Sequence, residues 1–437
     1  MTKGVSLFGR WNAAPSSQAF RAFASQENYF ASDIQTSTLG SNQIFSSKIV
    51  NDLRFNFSNN DGAFEFRGLA ADGAVSPPDS LIFPSFVDRN NTAVSIQLST
   101  QNNAANVSSA NLTQGKTVKT RQRQFQIVDT LSVVAGNHQL KFGADYRRLL
   151  PRFDSRSISI SYVFATPASR ASGVPTSVSV QGFAPNPGFR VENLSLFGQD
   201  TWRVDRRLTL TYGLRWEYNP PLSGERLPFS AVGLENPLAA TLAPAGAKQW
   251  NTDYKNFAPR VGIAYTLSEK QTAVVRAGFG VYYDLGTGTA LHGFNSFPYS
   301  SSRTLTGSQI RFPANEIDLQ PQPFLDTTSP PYSSSFVFFD PNLKLPYTLQ
   351  WKVSFEKGFG KNQTVTVSYV GAQGRKLLRA EQLRNYNAAF VRDRFGLNTG
   401  ALITVNPAVF GPTPAQFAST TPAFADFSPQ AGTRIES

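Results

Sequence analysis

The sequence contains no cysteine, one methionine and two histidines among its 437 residues. The lack of cysteine excludes a disulfide-stapled scaffold and any thiolate metal site. Charged residues make up 16% of the chain, whereas soluble proteins carry about a quarter. Serine, threonine, asparagine, glutamine and glycine fill the shortfall, and aromatic residues reach 13%, led by 36 phenylalanines. This composition suits a sheet with one face in lipid and the other in water.

Long apolar runs are also missing. No stretch approaches the roughly 18 consecutive apolar residues of a transmembrane helix, although a membrane β-strand would escape such a search because every second residue is polar. The first residues, 1–6, lack the basic and then apolar run of a signal peptide. Since an exported barrel needs such a signal, we expect the chain to be a fragment of a longer protein.

Strict alternation dominates what is present, and residues 208–218 are the clearest case. One face would carry Leu208, Leu210, Tyr212, Leu214, Trp216 and Tyr218. The other would carry Thr209, Thr211, Gly213, Arg215 and Glu217. Successive side chains of a strand point to opposite faces. This run exceeds the mean soluble strand of about five or six residues and matches the roughly nine to eleven that a tilted membrane strand needs.

Such strands recur in pairs joined by short links. The predicted short links are residues 46–48, 135–138, 205–207, 268–271 and 358–362, and residues 5–11 predict a lone strand ahead of a first pair that begins near residue 34. The connections between pairs are long and rich in Ser, Asn, Pro and Gly: residues 59–118, 149–190, 219–256 and 284–345. Within them, residues 158–164 predict a strand beyond the membrane. Outer-membrane barrels combine short periplasmic turns with long extracellular loops, whereas compact soluble domains rarely repeat long structureless links.

A soluble β-sandwich also alternates apolar and polar residues, so alternation alone does not decide the fold. Strand length and aromatic residues near strand ends favour a membrane barrel, where such rings lie at headgroup level. The aromatic positions are Trp202, Trp216, Tyr218, Tyr283, Tyr347 and Trp351. The sequence therefore predicts an all-β, antiparallel transmembrane β-barrel with long extracellular loops, of which about 11–12 strands are present.

Polar positions of these strands would face the lumen. The candidates are Arg54, Lys141, Arg147, Arg215, Glu217, Arg260, Arg276 and Lys352, and the carboxylates Asp145 and Glu356 would share their face. Alternating charges along the wall favour a structural ladder over direct ligand contact. His138 and His292 are far apart and have no carboxylate cluster, so no metal site is predicted. We found no catalytic or cofactor-binding motif, and we expect neither an enzyme nor a cofactor.

The net charge of +12 is spread along the chain and clusters only at residues 116–123 and 203–207. Nucleic-acid binding would need a concentrated basic patch on a suitable fold. We therefore expect no nucleic-acid partner.

Several segments resemble the barrel of TonB-dependent outer-membrane transporters, most closely the Oar-like group. The segments that show the resemblance are LSLFGQDTWR at 194–203 with LTLTYGLRWE at 208–217, NFAPRVG at 256–262 with RAGFGVYY at 276–283, LPYTLQW at 345–351 with SYVG at 368–371, and KFGADYRR at 141–148. The resemblance implies a barrel of about 22 strands that encloses a plug. The chain lacks the plug, the TonB box and the terminal aromatic of a final strand. We therefore expect residues 1–437 to form a single partial barrel domain, with residues 380–437 as a loop-rich, poorly ordered tail.

The expected function is the barrel portion of a TonB-dependent receptor in the bacterial outer membrane, which takes up a large substrate of the siderophore, vitamin or glycan class. Its partners would be outer-membrane lipid and lipopolysaccharide. The TonB complex would be a partner only if the full protein carries the missing plug and TonB box. The alternatives are a plugless porin, a surface-adhesion barrel or, less favoured, a secreted soluble β-protein.

Overall fold

The computed structural model describes residues 4–23, 26–70, 73, 75, 77–100, 108–115, 119–154, 157–185, 188–224, 227, 231–232, 241–244, 246–267, 273–285, 299–324, 336–360, 362–383 and 432–436. Its strands, in chain order, are β1 (Val5–Phe23), β2 (Gln26–Ser46), β3 (Ile49–Gly68), β4 (Thr92–Thr100), β5 (Ser108–Gly115), β6 (Lys119–Ala135), β7 (His138–Asp154), β8 (Ile158–Phe164), β9 (Ser177–Phe183), β10 (Val191–Arg203), β11 (Leu208–Tyr218), β12 (Ala231–Val232), β13 (Thr241–Leu242), β14 (Phe257–Thr266), β15 (Ala273–Tyr283), β16 (Ser300–Thr304), β17 (Phe336–Phe339), β18 (Tyr347–Phe359), β19 (Gln363–Arg375), β20 (Arg379–Leu383) and β21 (Gly432–Glu436).

Helical structure is short. It comprises α1 (Asp79–Ile82), α2 (Pro167–Ser172) and the 3-10 turns Gly307–Gln309 and Glu316–Leu319. Within the described ranges, none of the helices has the length and apolar character needed to cross a bilayer.

Antiparallel hairpins build one continuous wall, as the alternation predicts. Its strands follow the order β1-β2-β3-β6-β7-β10-β11-β14-β15-β18-β19, which gives eleven wall strands within a 16-stranded sheet. The predicted short links at 46–48, 135–138, 205–207 and 358–362 all join neighbouring wall strands, while the link at 268–271 lies outside the described residues. We call this edge of the wall the turn end and the opposite edge the loop end.

The two faces of the wall differ in chemistry. Large apolar side chains stay exposed on one of them, including Leu196 at 47%, Leu214 at 48% and Val261 at 53%. Register places these residues close together. Leu214 pairs with Gly198 on one neighbouring strand and with Pro259 on the other. Leu196 and Val261 lie two positions from those partners and therefore on the same face. In a membrane barrel, exposed apolar side chains face lipid. We call this the outer face, and the opposite face, which carries Arg215, the inner face.

The first strand is not alone, which corrects the prediction from residues 5–11. β1 pairs along its length with β2, and β2 begins at Gln26 rather than near residue 34. The sequence hid this pairing because apolar residues change faces along β2. Leu39 lies on the outer face, whereas Phe30, an odd number of positions away, lies on the inner face.

The long connections also contain regular structure, which corrects the expectation of structureless loops. β5 extends the line of β6 beside β3, and β4, β8, β9 and β16 continue the sheet from it. The predicted strand at residues 158–164 is confirmed as β8, which pairs in parallel with β4. Parallel pairing joins segments that are distant in sequence, so local alternation could not show it.

Two apolar cores form at the loop end. The first packs one side of the added strands against the connection 305–319 and includes Ile160, Tyr162, Val178, Val180, Leu305 and Leu319. The second includes Leu149, Phe189, Val191, Leu222, Tyr299, Phe339 and Leu343. Leu149 and Val191 are inner-face positions of paired wall strands. Parts of the connections 219–256 and 284–345 therefore pack onto the inner face.

The predicted tail, residues 380–437, lies mostly outside the described residues. Its described parts, within β20 and β21, form a small sheet with β17. The division of the chain into domains stays a prediction.

Candidate functional site

Period-two geometry aligns polar side chains of three wall strands on the inner face. Register sets Asp145 of β7 beside Ser195 of β10, and Ser195 beside Glu217 of β11. Arg215, two positions from Glu217, falls on the same face. One acid, one hydroxyl and an acid–base pair are thus brought to neighbouring rungs of the sheet.

Arg215 is the centre of the resulting network. Its Nη2 donates to Asp145 Oδ2 at 3.0 Å and to Ser195 Oγ at 2.7 Å, while its Nε donates to Glu217 Oε1 at 2.9 Å. The Nδ2 of Asn193 donates to the other Glu217 oxygen at 3.1 Å. Two carboxylates are therefore held by one guanidinium.

Further side chains complete the network. Gln126 Nε2 donates to Asp145 Oδ1 at 2.9 Å, and Asn193 Nδ2 donates to Asn219 Oδ1 at 2.6 Å. Both interactions engage polar atoms that burial would otherwise leave without partners. The network thus spans β6, β7, β10, β11 and the start of the next connection.

The network is buried although it lies on the polar face. Ser195 is 0% exposed, Asn193 2% and Asp145 6%. The second apolar core covers the network on its loop-end side. Leu149 and Val191 of that core are the next inner-face positions beyond Arg147 and Asn193 in the direction of the loop end. Burying charges is costly unless they are paired and hydrogen-bonded. The ion pairs of Arg215 supply that compensation.

All eight candidates proposed from the sequence lie on the inner face. Arg54 forms an ion pair with Asp52 at 2.7 Å, and Arg276 forms one with Glu356 at 3.0 Å. The Arg260 guanidinium lies 4.5 Å from the centre of the Tyr282 ring. Only Arg215 and Glu217 meet directly. Arg147 is their near neighbour by register, and Lys141 and Lys352 occupy inner-face positions elsewhere.

Sequence reasoning missed four members of the central network: Gln126, Asn193, Ser195 and Asn219. Three of them, Gln126, Asn193 and Ser195, alternate with apolar residues of their strands, which was the available signal. Uncharged polar residues of a site cannot be distinguished from other residues of these strands by sequence, because about half of the positions in each strand are polar. Only the pairing register shows which ones meet Arg215 and Glu217.

At the loop end the inner face becomes aromatic. The rings of Phe20 and Phe30 stack with centroids 5.8 Å apart, Phe30 lies 4.5 Å from Phe64, and Phe64 lies 4.6 Å from Phe66. Phe20 and Phe30 are each 42% exposed. We call these four residues the aromatic patch.

At the height of the aromatic patch, the outer face of the wall carries charged side chains. Arg67 bonds Glu65 at 3.0 Å, and its guanidinium lies 3.5 Å from the centre of the Tyr29 ring. The faces have exchanged polarity between Phe57, an outer-face residue, and Phe64, an inner-face residue. Such an exchange is expected where wall strands extend beyond the hydrocarbon layer, because the outer face there meets water.

A carboxylate joins two of the long connections. Glu316 accepts from the backbone NH of Ser85 at 2.5 Å and from its hydroxyl at 2.6 Å. Hydrogen bonds to the ionised form favour that form, so the Ser85 hydroxyl and NH lower the pKa of Glu316 below its ordinary value.

In the part of the chain that the structure describes, no three His, Cys, Asp or Glu side chains are grouped so that they could hold a metal ion. His138 instead lies 2.6 Å from Asp200, which also accepts from Tyr212 Oη at 2.8 Å. His292 lies outside the described residues.

Comparisons with known proteins agree with this architecture. A family model described as an outer membrane beta barrel domain matches residues 1–430. The sequence matches no curated protein.

Among solved structures, the outer membrane transporter YddB from Escherichia coli matches with a TM-score of 0.52 and 13% identity, over 100% of this chain and 41% of that one. The siderophore receptor PirA from Pseudomonas aeruginosa matches with a TM-score of 0.33 and 10% identity, over 98% of this chain and 57% of that one. The ferric enterobactin receptor PfeA from the same species gives 0.40 and 11%, over 87% and 45%. The chain thus spans about half the length of these proteins, and the likeness to YddB, at 13% identity, concerns the fold alone.

Proposed function

This chain belongs to the outer membrane beta barrel domain family and is therefore a bacterial outer-membrane protein, and we propose that it forms the barrel portion of a TonB-dependent receptor that takes up a large substrate. The wall is transporter-like in fold, and YddB, which shares that fold, is described as an outer membrane transporter. The substrate class we propose is a siderophore, a vitamin or a glycan.

The orientation follows from the lengths of the links, which are short at the turn end and, apart from the one between β1 and β2, long at the loop end. We propose that the turn end faces the periplasm and the loop end faces the medium, as in outer-membrane barrels generally. The two apolar cores at the loop end, with the connections that pack on them, would then form a folded extracellular layer, which we call the loop layer. Residues of the connections 219–256 and 284–345 would cover part of the barrel mouth from inside.

The observation that carries the proposal is the change of chemistry along the inner face. The aromatic patch is exposed at the loop end, and charged pairs such as Arg54–Asp52 and Arg276–Glu356 lie toward the turn end. A large substrate with ring faces and polar groups would first stack on the patch. It would then meet charged groups of the wall. An open diffusion pore would have no need of exposed phenyl rings at its mouth.

The two edge strands of the wall would need further strand partners in a bilayer. β1 pairs only with β2 and β19 only with β18 among the described residues. An unpaired strand edge in the hydrocarbon layer costs several kcal/mol for each polar group. We propose that further strands cover these edges and that a plug within the completed barrel links substrate release to the TonB complex.

Energised uptake by the native bacterium tests the function. Cells with the gene deleted and complemented cells would be compared for uptake of labelled ferric siderophores, cobalamin and oligosaccharides, with and without a protonophore. We expect uptake of one class to require the gene and to stop when the protonophore is added.

The other outcomes identify the alternatives. Gene-dependent uptake that survives the protonophore, with ion conductance in planar bilayers, would indicate a plugless porin. No gene-dependent uptake, with loss of surface attachment, would indicate an adhesion barrel. Recovery of the protein in the medium without detergent would contradict every membrane function.

A further inference from the structure

Four arginines converge on the outer face at the loop end. Arg121 and Arg123 come from β6, Arg152 from β7, and Arg190 immediately precedes β10. Register pairs Arg121 with Arg152 and Arg123 with Leu150, so these side chains share one face. All four arginines are exposed. We call them the arginine cluster.

The arginine cluster lines a cavity of about 630 Å³. The other lining residues are Leu150, Pro151, Gly188, Phe189 and Gly224, none of them acidic. The sequence had shown one basic run at residues 116–123 without a partner for it. The wall brings Lys119, Arg121 and Arg123 of that run together with Arg152 of β7 and with Arg190.

A second cavity of about 770 Å³ adjoins the first, because Arg121 and Arg152 line both. It adds Lys119 and two carboxylates, Asp33 and Asp61. Asp61 accepts a hydrogen bond from Arg121 Nε at 2.6 Å, which fixes that guanidinium in place. Across the two cavities, five basic side chains therefore face two acidic ones, an excess of three positive charges.

Below the cluster the same face carries the ion pair of Arg148 with Glu192 beside Phe125 and then turns apolar. Phe125 follows Arg123 on the outer face of β6 and packs against Phe57 with ring centroids 5.0 Å apart. On the neighbouring strand Tyr146 directs its hydroxyl to Glu192 at 3.3 Å. Aromatic rings mark the level at which the hydrocarbon layer meets headgroups. The arginine cluster thus lies at the height of lipid headgroups.

We propose that the arginine cluster binds the phosphate groups of lipopolysaccharide, whose acyl chains lie along the apolar outer face below it. The inference rests on the proposed orientation, since that places the cluster in the outer leaflet. Guanidinium groups match phosphate oxygens with paired hydrogen bonds and are preferred over lysine for this purpose. Continuity with the lipid-facing band favours a membrane lipid over a soluble anion, which would gain nothing from Phe125 and Tyr146.

Binding by the purified full-length protein in detergent tests the site. The ligands are bis-phosphorylated lipid A, dephosphorylated lipid A, phosphatidylglycerol and inorganic phosphate. The test variant is R123Q/R190Q, which leaves Arg121 and its bond to Asp61 intact. The control is R89Q/R375Q, because Arg89 belongs to the loop layer and Arg375 lies on the outer face of β19, so equal charge is removed elsewhere. Heat-modifiable migration on gels checks that each variant is folded.

We expect the test variant to bind bis-phosphorylated lipid A at least about tenfold more weakly than wild type, because it loses two charge-assisted guanidinium–phosphate contacts. The control should bind like wild type, and dephosphorylated lipid A should bind wild type weakly. Equal weakening in test and control variants would overturn the site. Displacement of lipid A by millimolar phosphate, or equal binding of phosphatidylglycerol, would overturn its assignment to lipopolysaccharide. Because the readout is lipid binding, its failure is distinguishable from a failure of substrate uptake.

Discussion

Arg215 of β11 and Asp145 of β7 meet across an intervening strand, with Nη2 and Oδ2 3.0 Å apart. β10 lies between their strands and contributes Ser195, which accepts from the same Nη2 at 2.7 Å. Three strands are therefore fastened on the inner face by side chains as well as by backbone hydrogen bonds. The guanidinium is one-fifth exposed and the carboxylate less than one-tenth, so water screens the pair weakly.

Removing that guanidinium should destabilise the wall. Arg215→Met leaves Asp145 and Glu217 buried without their cation, and breaking a buried ion pair costs about 3–5 kcal/mol. Urea unfolding in lipid vesicles, followed by tryptophan fluorescence, measures the loss. Arg260→Met is the matched control, because Arg260 contacts the Tyr282 ring and should cost only about 1 kcal/mol. Equal losses would contradict a structural role for the network.

The two faces of β11 should tolerate arginine differently. Leu214 is 48% exposed on the outer face, and Leu214→Arg should cost about 2–4 kcal/mol at the bilayer midplane. Thr211 is on the inner face, and Thr211→Arg should be mild. The same unfolding assay compares them. Equal effects on both faces would contradict a lipid-facing outer face.

Substrate capture should depend on the aromatic patch. Phe30→Ser with Phe64→Ser removes two contacting rings and should raise the half-saturating substrate concentration by about tenfold or more, since full burial of a phenyl ring contributes about 1.5–3 kcal/mol. The measurement is uptake of the substrate class that the native strain imports. Tyr29→Ser is the control on the outer face of the same strand, where uptake should not change. A similar effect in both would argue against stacking at the mouth.

The proposed orientation can be read with single cysteines, because the chain has none of its own. Ile317→Cys, at a side chain 75% exposed in the loop layer, should react with an impermeant maleimide on intact cells. Asn137→Cys, in the turn between β6 and β7, should react only after the outer membrane is opened. The reverse pattern would place the loop end in the periplasm and would remove the basis for lipopolysaccharide binding.

The loop layer should loosen in acid. The folded-state pKa of Glu316 lies below its ordinary 4.5 because Ser85 bonds the ionised form. A lowered pKa contributes stability that is present above pH 4.5 and is lost as the pH falls through the folded-state value. Proteolysis of the connections by an acid-active protease should therefore accelerate below that pH in wild type. In Glu316→Gln it should already be faster at pH 6 and change less with acid, and a wild-type acid response in that variant would contradict the assignment.

Much of the wall was readable from the sequence, because alternation is local. Residues 208–218 predict β11 with its bounds, and the short link at 205–207 fixes its partner. Prediction failed for Gln26 to Asp33 in β2, where the strand leaves the hydrocarbon layer and the phase of its apolar residues reverses. It also failed within the long connections, where β4 and β8 find each other across a large separation in sequence.

The sequence by itself determined which residues form long strands, which side chains share a face of each strand, and which links are short, since all three depend on neighbours along the chain. Only the tertiary structure decided which faces of different strands meet. That depends on pairing register, in which a shift of one residue would turn every side chain to the other face. Arg215 reaches Asp145, and Arg123 joins Arg152 and Arg190, for this reason. The tertiary structure also changed the picture of the loop end, from a set of unstructured loops to two apolar cores and an aromatic inner face.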